Sequence, residues 1–146
     1  MLEALSRATF DRDIAAIDAR VAEMRNWTIV EASFPVFDVI FNHAASPIRL
    51  RLACSDWDEV PPSIDLLHID GTCMAGSRLP ANTGSVFNQG KHERTGRPFI
   101  CMRGSREYHT HSSHVSDRWE NYRGKPGNDI GGLVYQLWRV WKKAVG

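Results

Sequence analysis

The chain has 146 residues, 42% of them hydrophobic and 24% charged, with a formal net charge of +1. That length suits one domain over residues 1–146 with a sizeable core, and the balanced charge gives no global attraction to nucleic acid or to an anionic membrane surface. No apolar run reaches transmembrane length; an odd number of cysteines (Cys54, Cys73, Cys101), no C-x-x-C pair and no signal-peptide pattern point away from disulfides and toward a reducing, cytoplasmic setting.

Leu2 to about Arg25 is expected to form an amphipathic helix, with Leu2, Leu5, Ile14, Ile17, Val21 and Met24 on its apolar side. Thr9 with Asp13 marks an alternative start near Phe10. Three short strands are expected next. Trp27 to Ser33 is the first, Val36 to Asn42 the second, and Ile48-Arg49-Leu50-Arg51-Leu52 the third. The third alternates strictly, with both arginines on a solvated face. Pro35 and the Ala44–Pro47 stretch turn the chain between them.

Cys54 to Pro62 ends in two prolines, which a sheet ladder does not accommodate, so it is a crossing segment. Ser63 to His68 resumes a strand. Asp70 to Glu93 is rich in Gly, Ser and Asn and is expected to be a long functional or mobile loop. Gly96 to Gly104 then sets Cys101 between apolar neighbours, Phe99, Ile100 and Met102, and bounds them with Pro98 and Gly104 as turns. A cysteine in such a place is either a small core residue or a nucleophile shown at the rim of the core. Tyr108, His109, His111 and His114 follow, then Asp117, Trp119 and Tyr122. The last element, about Ile130 to Lys143, is an amphipathic helix capped by Asn128 or Asp129. The order predicts an α+β fold: N-terminal helix, four-stranded antiparallel meander, irregular cysteine segment, C-terminal helix.

This ordered set resembles the ubiquitin-conjugating enzymes. Ile48 to Leu52, then Trp57, then Pro61-Pro62-Ser63-Ile64 is similar to that family's third strand, crossing segment and Pro-Pro-x-Val/Ile strand. Phe99-Ile100-Cys101-Met102 resembles its Ile-Cys-Leu segment, Trp119 the tryptophan beyond it, and Leu133 to Leu137 the helix that follows. The resemblance covers roughly Leu2 to Trp141, and divergent bacterial relatives encoded beside ubiquitin-like proteins and activating enzymes are the nearest in pattern. Two departures stand out. Where the family has His-Pro-Asn, this chain has His92-Glu93-Arg94, and the two helices that often close the family fold have no counterpart, which implies a minimal form.

The resemblance implies that Cys101 accepts the C-terminal carbonyl of a ubiquitin-like protein from an activating enzyme and passes it to a lysine of a protein target, with no cofactor. It also implies that another group replaces the asparagine that steadies the oxyanion in the family. Tyr108, His109 and His111 are the candidates, as donors or as a base, with His92 next. The competing expectations are a non-catalytic binding module, and a domain in which Cys101 is core and His109, His111 and His114 hold zinc. Against the latter, the histidine spacing fits no named zinc motif.

Overall fold

A computed structural model describes residues 1–146. Helices α1 (Glu3–Ala15) and α2 (Ala19–Met24) precede four strands, β1 (Trp27–Ser33), β2 (Val36–Phe41), β3 (Ile48–Ala53) and β4 (Ser63–Leu67). The strands form one antiparallel sheet in sequence order, a plain meander. A hairpin of two short strands follows, β5 (Phe87–Asn88) and β6 (Phe99–Ile100), then α3 (Arg106–Thr110) and α4 (Ile130–Val145). This is the predicted α+β order.

The register explains the layering. Phe37 pairs with Leu52, Val39 with Leu50 and Phe41 with Ile48; Leu52 and Leu50 pair in turn with Ile64 and Leu66. Alternation places all of them on one face. There they join Phe10, Trp57, Phe87, Ile100 and the α4 stripe Leu133, Val134, Leu137 and Trp141 in one buried cluster. The opposite face carries Asp38, buried inside the apolar run of β2. Arg49 grips it through two nitrogens (2.9 and 2.8 Å) and Arg51 through one (3.2 Å). The β3 arginines therefore clamp a buried carboxylate rather than decorate a solvated surface.

The N-terminal helix differs from the expected one. It breaks after Ala15, and Asp18 restarts it by accepting the Val21 N–H at 2.9 Å. Its buried stripe is Ser6, Phe10 and Asp13, continued by Ile17, while Leu2, Leu5 and Met24 are exposed. The reason is Asp13. Its carboxylate accepts from Trp57 Nε1 at 2.8 Å and from the Ile130 N–H at 3.2 Å, so that face of the helix must point inward. One buried side chain thereby ties α1 to the crossing segment and to the first turn of α4, where the helix dipole favours an anion.

The Asp70–Glu93 stretch is packed rather than loose. Met74, Leu79 and Phe87 are buried, and the Phe87 ring lies 4.9 Å from that of Trp141. Asp129 is the residue that caps α4, through Gly132 N–H at 2.8 Å.

Replacing Asp13 by Ala leaves a buried indole N–H and a buried backbone N–H without partners, so stability should fall by about 3 kcal/mol. Urea unfolding should show a lower midpoint with an unchanged slope. A midpoint within error of the native protein would mean that Asp13 does not tie the helices together.

Candidate active site around Cys101

The site is built outward from the edge of the sheet. Beyond β4 the sheet has no further strand, and α3 covers the start of that edge, with Cys73 and Met74 bridging its end. Arg106 N–H donates to the Pro62 carbonyl at 2.8 Å, Ile64 N–H donates to Glu107 Oε1 at 2.7 Å, and the Ser63 hydroxyl donates to Glu107 Oε2 at 2.9 Å. Ser105 caps α3 by accepting the Tyr108 N–H and also donates to the Ile100 carbonyl at 2.7 Å. These bonds fix the chain on both sides of Cys101. Burial pushes the Glu107 carboxyl up, against the two hydrogen bonds that favour its anion.

Gly104 turns the chain between Cys101 and α3. Its φ is +99°, and a Cβ there would lie 2.4 Å from Leu133 Cδ2 of α4. Both the backbone angle and the contact exclude a side chain.

The three cysteines occupy different settings. Cys54 is 1% exposed, and burial pushes its thiol up to about 12, which makes it a core residue. Cys73 is exposed, with its sulfur 3.4 Å from an Arg97 guanidinium nitrogen. Cys101 is half-buried at the exit of β6, held by its own N–H on the Val86 carbonyl at 2.8 Å. Partial burial raises its thiol above the ordinary range. No disulfide forms.

The histidines also divide. His109 has both ring nitrogens engaged: Gly104 N–H donates to Nε2 at 3.0 Å, and Nδ1–H donates to the Asp117 carbonyl at 2.7 Å. That pattern requires the neutral ring, and burial pushes its pKa down. His109 is thus a clip that closes the Gly104–Asp117 loop, with no nitrogen free for an incoming group. His92 is buried and clipped likewise, between the Glu107 carbonyl (2.8 Å) and the Arg94 N–H (3.1 Å). His111 lies face to face with Phe99 and accepts the Ser113 N–H on Nδ1. The imidazole nitrogen that reaches Cys101 Sγ is Nε2 of His114, at 3.7 Å.

Tyr108 stacks on His114, with ring centroids 4.2 Å apart and planes 12° from parallel. Its hydroxyl donates to Asp117 Oδ2 at 2.5 Å, Tyr122 donates to Oδ1, and Arg103 donates to Oδ2 at 2.8 Å. Two phenols and a guanidinium hold the Asp117 carboxyl far below the usual range. Trp119 anchors the end of this loop, donating to the Asp58 carbonyl at 2.7 Å beside Trp57.

The predicted residues Cys101 and Tyr108 thus share one cluster, through His114. His109 and His111 flank it with their hydrogen bonds directed elsewhere. No group of three His, Cys, Asp or Glu side chains is arranged to hold a metal ion. Sequence reasoning missed Glu107 and Asp117. The first had a signal, since Ser105 followed by an acid is a helix start. The second had none, because its partners converge only in three dimensions.

The Y4jH-like family (Y4jH family) matches residues 85–146, which run from the β5–β6 hairpin through Cys101 to the end of α4 and amount to less than half of the chain. No curated protein matches it. No helix is long and apolar enough to cross a membrane.

Glu107 offers a test of how the site is mounted. Glu107→Ala orphans the Ile64 N–H and should cost about 1–3 kcal/mol. Glu107→Gln keeps an acceptor for Ile64 and removes a charge that burial disfavours. A carboxyl raised by folding stabilises fully below its unfolded value, and that contribution is lost as pH rises through the folded value. The Gln variant should therefore match or exceed the native protein at pH 7 and lose that advantage near pH 4. Equal thermal stability of the Ala and native proteins at both pH values would rule out the mounting role.

Proposed function

We propose that this chain is a conjugating enzyme of the ubiquitin-conjugating type, which carries a ubiquitin-like protein as a thioester on Cys101 and transfers it to a lysine amine of a target. The observation that carries the reading is Cys101 itself: a half-buried thiol at the exit of a short hairpin, mounted on the edge of a four-stranded meander, with a helix following. The order of helix, meander, Pro61-Pro62 crossing, cysteine and helix is the order that prompted the family resemblance, and Pro61 and Pro62 take part in mounting the cysteine segment, accepting from Arg106 through their carbonyls.

The chemistry asks little else of the protein. Thioester exchange replaces one carbon–sulfur bond by another, so it is nearly balanced in free energy and needs a nucleophilic sulfur within reach of a partner's thioester. Neither a cofactor nor a deep pocket is required, because both the incoming carbonyl and the target amine arrive on proteins. A thiol at the rim of a core suits that approach, whereas Cys54 is sealed. The partners on this reading are an activating enzyme, a ubiquitin-like protein and the target.

The test is loading. With a cognate activating enzyme, ATP and the ubiquitin-like protein, a non-reducing gel should show an adduct that thiol reagents dissolve and that Cys101→Ala abolishes. An adduct that survives Cys101→Ala and disappears with Cys73→Ala would move the nucleophile to the other accessible cysteine and overturn the assignment.

A further inference from the structure

We infer that His114 is the acid–base partner of Cys101, and that the ring of Tyr108, anchored on Asp117, positions it. The inference rests on the reading of Cys101 as the nucleophile, but its chemistry belongs to this chain alone. Three observations carry it. His114 Nε2 lies 3.7 Å from Cys101 Sγ, within contact range for a sulfur hydrogen bond. Its ring is stacked on Tyr108, which fixes the plane of the imidazole. Tyr108 is fixed in turn by Asp117, whose carboxylate also holds Tyr122 and Arg103. The loop cannot swing freely either, since His109 clips Gly104 to the Asp117 carbonyl at its two ends.

The remaining histidines near the sulfur are poor alternatives. His109 and His92 have both ring nitrogens engaged. His111, 6.0 Å from the His114 ring, makes its contacts with Phe99, His92 and Ser113. The groups facing His114 are therefore Cys101, Tyr108 and His111, with Asp117 and Arg103 behind Tyr108.

The steps balance as follows. In loading, the Cys101 sulfur attacks the thioester carbonyl of the activating enzyme as its proton passes to His114 Nε2. The tetrahedral intermediate expels the activating enzyme's thiolate, which takes that proton back from the imidazolium. In transfer, a lysine amine attacks the Cys101 thioester and gives its extra proton to Nε2. The carbon–sulfur bond then breaks, and the leaving Cys101 sulfur is reprotonated by His114. Each cycle returns a neutral imidazole and a thiol.

The experiment needs no partner protein. The rate of Cys101 alkylation by iodoacetamide is followed from pH 5 to 10, with peptide mass spectrometry separating Cys101 from Cys73. The native protein should show two rises, the first within the span over which histidines as a class change charge, about pH 5 to 8. His114→Gln should lose the first rise and react about tenfold or more slowly at pH 7, because an unassisted thiol is ionised to only a few per cent there. Tyr108→Ala should lose it as well, and Tyr108→Phe, which keeps the stacking ring but cuts its tie to Asp117, should show a smaller first rise than the native protein. An unchanged profile in His114→Gln overturns the dyad, and an unchanged profile in Tyr108→Ala overturns the positioning role.

A second measurement avoids dependence on a folded His114 variant. The ring resonances of His114, followed by NMR against pH, should shift their titration when Cys101→Ala removes the sulfur; an identical titration also overturns the pair. If loading by an activating enzyme fails while the alkylation profile is as expected, the conjugating reading falls and the dyad stands. If loading succeeds and the profile is flat across the first span, the dyad falls alone.

Discussion

The edge strand β4 leaves outward-facing backbone groups that no further strand of its sheet pairs, and the cysteine segment and the Asp70–Glu93 stretch share them. Arg106 N–H meets the Pro62 carbonyl, the Glu107 carboxylate meets the Ile64 N–H, and Met74 N–H meets the Leu66 carbonyl. An open edge invites pairing with another chain, so covering it protects the sheet and fixes the short helix α3 at the same time. Glu107 does more than its side chain shows, because its own carbonyl accepts from His92. One residue thus connects the sheet, α3 and the turn that leads into β6. Gly104, pressed against Leu133, sets the remaining side of the frame.

Within that frame, identical side chains do different work according to which nitrogens are already occupied. A histidine that accepts on one nitrogen and donates from the other is a fixed cross-link, and it behaves as a neutral polar strut. His92 and His109 are of this kind. Burial disfavours the imidazolium of His109, whose pKa is lowered. Asp117 shows the converse for a carboxylate. With three donors around it, its anion is favoured so strongly that it acts as an anchor and not as a proton carrier. The two clips and the anchor together leave the geometry of the Cys101 loop determined by hydrogen bonds rather than by apolar burial, which suits a segment lying at the rim.

β3, β4 and the last helix were legible because their side chains alternate or repeat against one core. The start of α4 follows directly from the pattern, β1 was bounded by the turn at Pro35 although only Trp27 of it is buried, and Cys101 stood out through its place between Phe99, Ile100 and Met102. The N-terminal helix was misjudged because its inward face carries Ser6 and Asp13, and polar residues satisfied by distant partners look like surface in a hydropathy reading. The β3 arginines were misjudged for the same reason, since Asp38 lay hidden in an apolar strand. The hairpin partner β5 was lost because two residues are too few to show a period. In the site, residue types were legible and roles were not. Nothing in Tyr108-His109-Thr110-His111 says which nitrogens the backbone will consume.

A thioester carrier must satisfy two opposed demands on one sulfur. It must attack a carbonyl, which favours a basic and hence more nucleophilic thiolate, and it must later leave, which favours an acidic one. Half-burial raises the Cys101 thiol and so favours the first demand at the expense of the resting thiolate. A raised thiol carries less thiolate and is less open to oxidation, because thiolate character governs susceptibility. It also means that attack requires a base at the moment of reaction and departure requires an acid. On the proposed reading, the His114 imidazole 3.7 Å away would serve in both directions, ending each exchange as it began. A permanent cation beside the sulfur would instead hold a standing thiolate, easing departure while weakening attack. The setting of Cys101, apolar on the side of β6 and imidazole on the side of the loop, therefore fits a residue that must repeatedly gain and lose an acyl group, and fits less well a cysteine whose only task is to form one stable bond.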